Sequence, residues 1–466
     1  MGTTLPANRA AFTAAELARI TGGRWLTGGS DVVGVTTDSR GILPGQLFVA
    51  LSGERFDGHD YLDQVATAGV AAAIVKAPRA VAIPQLVVAD PVAALGSLAR
   101  AHRDRFDIPL VGLTGSNGKT TTKEMIAAVL APLGPIHRTA GNLNNHIGVP
   151  LTLLGLEPAH RAAIVEMGMS REGEIRALSA MARPTVAVIT NAGRAHLLGL
   201  GSREAVVRAK SEIAEALGPS DTFIYFGDDG LMREVNKGCA AHVVTFGLGP
   251  TPNLSASRIN ETGLLGSEFD VDGFGRVHLA IPGRHNVLNA LAALAVSQVL
   301  GVAPDAAVRA LANVRPVTGR MEVRRFGPLT IIDDSYNANP DSMRAALDLL
   351  REAPHTGRRV AVLGEMLELG QTSLSMHREV GAAASFVDAL WVIGPSASEV
   401  AAAAVEAGLA GSAAHVVPDL ESLLSSIPPA LLPGDLVLVK GSRGMALDRL
   451  VRAVETSVAS QPDEER

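Results

Sequence analysis

The chain has 466 residues, of which 47% are apolar and 19% charged, with a formal net charge of −6. That length exceeds what one hydrophobic core sustains and suggests about three domains; the composition excludes a disordered chain, and the even, mildly acidic charge argues against a nucleic-acid binder. A single cysteine, Cys239, excludes an internal disulfide, and the short, interrupted apolar runs with no basic start predict neither a membrane span nor a secretory signal, so a cytoplasmic protein is expected.

Aromatic residues make up only 3%, so the cores must rely on Ala, Val, Leu and Ile. Thr13, three residues before Glu16, reads as the capping box of a short helix through Ile20. Residues 32–35 and 47–51 read as strands, 61–68 as a helix and 72–75 as a strand, and a further βα segment covers 86–105. This is a small α/β unit without a phosphate loop. Its polar stretches are Asp38-Ser39-Arg40 and residues 55–59; by itself Asp-Ser-Arg reads as a solvated turn sooner than as a ligand site.

The apolar run 108–113 enters a loop holding Gly115, Ser116, Asn117 and Gly118, after which Lys119, Thr120 and Thr121 open a helix. Glycines let the backbone approach phosphate, and the N–H groups of a helix start form an anion site. Lys119 adds a charge for the β- and γ-phosphates, and Thr120 a hydroxyl for Mg²⁺. The match to G-x-x-x-x-G-K-[ST] is incomplete, because Leu113 holds the first glycine position.

Alternating strands and helices follow, which predicts a mostly parallel sheet. A strand over 163–165 ends at Glu166. Another over 185–189 ends at Thr190-Asn191, with His196 soon after. Ligands of open α/β sheets bind beyond the carboxyl ends of strands, so Glu166 and His196 share an edge with Lys119 and suit Mg²⁺ or its waters. Taken singly, Glu166 is as readily a helix-capping acid and His196 a loop histidine. Asn142, Asn144, Asn145 and His146 form a polar cluster read as lying near the phosphates. Lys210, in a helix over 203–217, reads by pattern as exposed. Residues 223–226, 242–246, 267–271 and 276–281 are short strands with no helix evident between them and predict an antiparallel extension. In the helix over 286–300, Asn286 and Asn289 share one face and suit a base or a phosphate; capping accounts for only one of them.

Arg315-Pro316 reads as a linker. A strand over 329–332 runs into Asp333, Asp334 and Asn337, a helix covers 341–353, and strands at 359–363, 389–393, 415–417 and 436–439 complete a doubly wound, Rossmann-like domain. No G-x-G-x-x-G follows its first strand, which disfavours dinucleotide binding. Asp334, Asn337 and Arg443 at strand ends are candidate ligand groups; the alternative is that they are helix-start loops. The tail from about Ser457 is polar. The expected domains are 1–105, 106–314 and 315–466.

In this order, TGSNGKTT at 114–121, the N-x-I-G-x-P from Asn145 to Pro150, the Glu166 strand end, the Asn191-to-His196 segment, His285 with Asn286 and Asn289, and Gly319-Arg320 resemble the Mur ligase superfamily, ATP-dependent amide-forming enzymes of bacterial cell-wall synthesis. The resemblance covers nearly the whole chain. Within it, DDSYNANPDSM at 333–343, LGEMLELG at 363–370, His377 and KGSRGM at 440–445 resemble the branch that adds D-alanyl-D-alanine to UDP-N-acetylmuramoyl-tripeptide. The motifs of the tripeptide-forming and folylpolyglutamate branches are absent.

The resemblance implies three α/β domains: an N-terminal UDP-sugar-binding domain, a central ATPase-type domain and a C-terminal domain for the incoming dipeptide. It implies ATP, two Mg²⁺ ions and an acyl-phosphate route, acting on small molecules as a monomer. It places Ser39 and Arg40 near the uridine diphosphate, overriding the solvated-turn reading. It makes Lys210 a carbamate whose carboxylate serves the second Mg²⁺, beside Thr120, Glu166 and His196. Asn145, Asn286, Asn289, Arg320 and Asp334 match nucleotide positions; Asn337 and Arg443 face the dipeptide. A sister amide ligase with another acceptor, or a regulatory module that hydrolyses ATP, remain the alternatives.

Overall fold

Short β-branched and leucine runs separated by amphipathic helices bury themselves as parallel sheets covered by helices. The computed structural model describes residues 5–53 and 56–459; Arg55 and the tail beyond Ala459 lie outside them. Ser457 itself belongs to the last helix, Asp448–Ala459.

In the N-terminal domain, Val35–Thr36, Leu47–Val49, Ala72–Val75 and Gln85–Val87 run parallel, with Arg24–Trp25 antiparallel at one edge. Thr13 and Glu16 close a capping box on the helix Ala14–Thr21. The single strand expected over 32–35 is two. Gly34, at φ +91°, turns the backbone, so Val32–Val33 pairs with Ala11–Phe12 while Val35–Thr36 enters the five-stranded sheet. The helix Pro91–Arg103 joins this domain to the next. Its buried Arg103 donates to the carbonyls of Ala182, Phe106 and Ile108.

The central domain holds a nine-stranded sheet. Ile136–Arg138, Ala162–Glu166, Leu110–Thr114, Val186–Ile189, Thr222–Phe226, His242–Gly247 and Leu254–Glu261 lie side by side in parallel. Ser267–Val271 and Gly275–Leu279 add the antiparallel extension. That extension starts later than the sequence predicts: Thr222–Phe226 and His242–Gly247 are parallel, and a helix, Gly230–Val235, connects them. Six residues are too few for a helical period to declare itself, although Asp229 caps the helix by accepting from Leu231 and Met232. Leu254–Glu261 escapes prediction because it is largely polar and half exposed. The helix Arg284–Val299 is buried on nearly every side, which its alanine-rich sequence permits, and packs against the helix Lys119–Leu130.

The C-terminal sheet has the order Glu322–Phe326, Leu329–Asp334, Leu436–Lys440, Arg359–Gly364, Ala389–Ile393, Ala414–Val417, all parallel except the first strand. The last strand of the chain inserts between two earlier ones and sets Lys440 beside Asp334. One apolar cluster continues through all three domains. Among the described residues, no helix is long and apolar enough to cross a membrane.

Candidate active site

The central strands end on one line. Their register sets Glu166 beside Leu113 and Ile189 beside Thr114, so the loop after Thr114, the Glu166 carboxylate and the loop after Ile189 leave the sheet together. Two glycines shape the first loop. A Cβ at Gly115 would lie 1.8 Å from Thr190 Oγ1, and at Gly118, where φ is +78°, 2.4 Å from Asn289 Oδ1. Asn191 holds the loop between them: its Oδ1 accepts from the Asn117 N–H at 2.9 Å and its Nδ2 donates to the Asn117 carbonyl at 3.0 Å. The loop ends at the N-terminus of the helix Lys119–Leu130, whose first N–H groups have no carbonyl partner within the helix.

A cleft of about 1330 Å³ opens above this edge, between the central and C-terminal domains. The central domain lines it with Ser116 to Thr121, the cluster Asn142, Asn144, Asn145 and His146, and Glu166, His196, His285 and Asn286. The C-terminal domain contributes Arg320, Asp334, Asn337, Lys440 and Arg443.

Glu166 is 2% exposed, and its carboxylate accepts from Thr120 Oγ1 at 3.0 Å and Asn144 Nδ2 at 2.9 Å. Behind it, the buried Lys123 ammonium donates to the Thr139 carbonyl at 2.8 Å, and Thr139 Oγ1 accepts from the Glu166 N–H at 2.9 Å. Lys119 Nζ donates to the Gly115 carbonyl at 2.7 Å, and burial pushes its pKa down. The His196 ring meets Glu368 at 2.6 Å; burial lowers the imidazole pKa, and the Glu368 hydrogen bond opposes that.

Lys210 is 1% exposed rather than on a solvated face. Val206, Lys210 and Ile213 recur at helical spacing on the inward side, a signal present in the sequence but overridden by the lysine's charge. Among the described residues its Nζ has no hydrogen-bond or ion-pair partner. Burial, then the nearby Lys119 charge, hold its pKa well below the ordinary lysine range.

The donors on this edge suit a hard cation. Among the described residues no group of three or more His, Cys, Asp or Glu side chains is placed to hold a metal alone. A buried carboxylate bonded to a threonine hydroxyl beside a phosphate loop instead fits Mg²⁺, which shares phosphate and water oxygens rather than needing a closed protein cage.

Across the cleft, Lys440 Nζ donates to Asp334 Oδ2 at 2.5 Å and to the Asn337 carbonyl at 2.9 Å. The Arg320 guanidinium lies 4.1 Å over the Tyr336 ring, and Arg443 lies 5.4 Å from it. Not every candidate lines the cleft. Gly115, in the loop, and Lys210 do not line it, and Asn289 sits behind the loop, where it donates to Asn286 Oδ1 at 2.8 Å. Ser39 and Arg40 lie on the N-terminal domain outside the cleft, and Arg40 forms a fork with Asp38 at 2.8 and 2.7 Å.

Three contacts joining the domains were invisible to sequence reading. Asn117 and Asn339 exchange carboxamide hydrogen bonds at 3.3 and 2.6 Å. Arg194 pairs with Asp341 at 3.0 Å and Glu379 at 2.8 Å. The third is His196 with Glu368. Asn339 also caps the helix Pro340–Glu352, and that local role accounts for an asparagine there without a partner elsewhere.

Three family models match successive parts of the chain. The model of the Mur ligase family, catalytic domain, matches residues 31–103, that of the Mur ligase middle domain 113–297, and that of the Mur ligase, glutamate ligase domain, 319–443. A UDP-N-acetylmuramoyl-tripeptide–D-alanyl-D-alanine ligase of Bacillus subtilis is 38% identical over 428 residues, covering 90% of this chain and 92% of that protein. A crystal structure of MurF from Acinetobacter baumannii superposes with a TM-score of 0.88 at 34% identity, covering 96% of this chain and all of that one. The MurF ligase of Thermotoga maritima, solved in complex with ADP, superposes at 0.82 with 29% identity, covering 92% of this chain and 98% of that one.

Proposed function

The chain belongs to the Mur ligase family, and on that premise we propose that it joins D-alanyl-D-alanine to UDP-N-acetylmuramoyl-tripeptide at the expense of ATP, making the UDP-linked pentapeptide precursor of peptidoglycan. The observation that carries this reading is the cleft itself: a phosphate loop, a buried carboxylate and an imidazole on one wall face Lys440, Asp334 and Arg443 on the other.

A carboxylate is a poor acyl donor, so the tripeptide carboxylate oxygen attacks the γ-phosphorus of ATP, ADP departs with the bridging oxygen, and an acyl phosphate forms. The dipeptide amine then attacks the acyl carbon. Phosphate leaves with the C–O electron pair, the nitrogen loses a proton, and an amide remains. The enzyme's task is positioning and charge stabilisation. Ser116 to Thr121 cradle the phosphates, and Lys119 leaves the Gly115 carbonyl to meet the transferred group. Asn145, Asn286, Asn289, Arg320 and Asp334 serve the nucleotide, Asn289 from behind the loop. Thr120, Glu166 and His196 would hold Mg²⁺, which would neutralise the phosphate charge.

Lys210 acts as a carbamate. Burial holds its pKa well below the ordinary lysine range, which favours the neutral amine, and that form adds to CO₂ by forming an N–C bond and releasing a proton. The carbamate would place an anion for a second Mg²⁺ where the buried base stands. In this reading, residues 1–105 bind the UDP-sugar peptide, with Ser39 and Arg40 toward the diphosphate. Residues 106–314 bind ATP, and 315–466 bind the dipeptide through Asn337 and Arg443. The enzyme works as a cytoplasmic monomer.

The test is phosphate release from ATP with Mg²⁺ and UDP-N-acetylmuramoyl-tripeptide, with and without D-alanyl-D-alanine, followed by product mass. Release that requires both substrates, with a product heavier by the dipeptide residue, supports the reading. Release with a free amino acid instead moves the chain to a sister activity. Release that needs no acceptor overturns the ligase reading.

A further inference from the structure

The His196–Glu368 pair joins two strained residues from different domains. Neither is glycine, yet His196 sits at φ +58° and Glu368 at φ +65°. Such conformations persist where surrounding contacts over-determine them. Around Glu368 those contacts are explicit. The Met366 N–H donates to His377 Nε2 at 3.0 Å, the Leu367 N–H to Ser442 Oγ at 2.9 Å, and the Leu198 N–H, from the His196 segment, to the Glu368 carbonyl at 2.9 Å. His377 is 2% exposed and its Nδ1 donates to the Ser373 carbonyl at 2.8 Å, which leaves Nε2 free to accept. The loop from Glu365 to Leu369 is thus tied to two C-terminal elements and delivers one carboxylate across the cleft.

That carboxylate has a chemical consequence. A carboxylate accepts hydrogen bonds, so the 2.6 Å contact places the proton on Nδ1. Nε2 is then the nitrogen with the lone pair. Histidines that bind metals are oriented in this way by a carboxylate on their other nitrogen.

We propose that Glu368 is a positioning residue: by holding the Nδ1–H tautomer and the orientation of His196, it completes the metal-facing edge of the central domain only when the C-terminal domain is docked. This rests on the reading that His196 faces Mg²⁺. The bland alternative is a half-exposed interdomain ion pair, which would leave the tautomer and cation affinity unaffected.

The test uses the full-length protein labelled with ¹⁵N-histidine. The ring nitrogens of His196 are assigned by their loss in His196→Asn, and Mn²⁺ binding in the presence of ADP is followed by electron paramagnetic resonance. The wild type is expected to show the Nδ1–H form of His196. Glu368→Ala is expected to convert it toward Nε2–H and to weaken Mn²⁺ binding by about 10- to 100-fold. Glu368→Gln keeps an accepting oxygen and is expected to restore most of both. An unchanged His196 spectrum in Glu368→Ala, or Mn²⁺ affinity equal to wild type, overturns the proposal. The product assay on the wild type is separate: pentapeptide formation beside an unmoved tautomer leaves the ligase reading standing and removes this one, and the reverse result does the opposite.

Discussion

Gly118→Ala tests the phosphate loop through its geometry. At φ +78° an alanine is in the left-handed region, which costs about 1–2 kcal/mol. The new Cβ would also lie 2.4 Å from Asn289 Oδ1, far inside contact distance, so the carboxamide must swing away. That breaks the 2.8 Å bond to Asn286 and strands polar groups on side chains only 4% and 2% exposed, for about 1–3 kcal/mol more. The total is about 2–5 kcal/mol. Gly238 provides the control: its φ is +87° with nothing within 4 Å of a Cβ, so Gly238→Ala carries the strain alone. Urea unfolding followed by circular dichroism, and the KM for ATP from phosphate release, are the assays. Gly118→Ala should be less stable than Gly238→Ala and should raise the KM, and adding Asn289→Ala to it should recover part of the stability. If the two glycine variants lose equal stability, the argument from close approach is wrong.

Lys119→Ala should lower phosphate release by about 10²–10³-fold while the circular dichroism spectrum stays that of the wild type, since its ammonium bonds only a loop carbonyl; near-normal turnover would remove the phosphate-loop assignment. Lys210→Ala should be about 10²-fold slower or worse and regain part of its rate with a short carboxylic acid; full activity without rescue would dismiss the carbamate. His137 predicts a pH dependence of stability. Burial holds its pKa at about 4, below the ordinary 6.5, so the unfolded chain binds more protons between those values. Its contribution is therefore full above pH 6.5 and is lost as pH falls toward 4, by up to about 3 kcal/mol. In His137→Gln the acid-side slope of unfolding free energy should flatten, and a slope identical to wild type would refute the assignment.

The local pattern of the chain determined its class and which candidate groups share one sheet edge. A strand entering Gly115, Gly118 and Lys119, and strands ending at Glu166 and before His196, suffice to put those groups on one edge, because a parallel sheet aligns its carboxyl ends whatever the loops do. The same reading placed the antiparallel extension too early, since a six-residue helix leaves no readable period. It took Lys210 for a surface lysine, since charge usually tracks exposure and only the packed helix shows this amine buried. Other features depend on which distant surfaces meet. Asn289 lies under Gly118 because two helices pack closely, although its spacing from Asn286 suggested a ligand. His196 and Glu368 are 172 residues apart, and Asn117 and Asn339 are 222 apart. Periodicity specifies the face on which a side chain sits, but such pairs exist only once the domains dock, and that is decided by the tertiary structure.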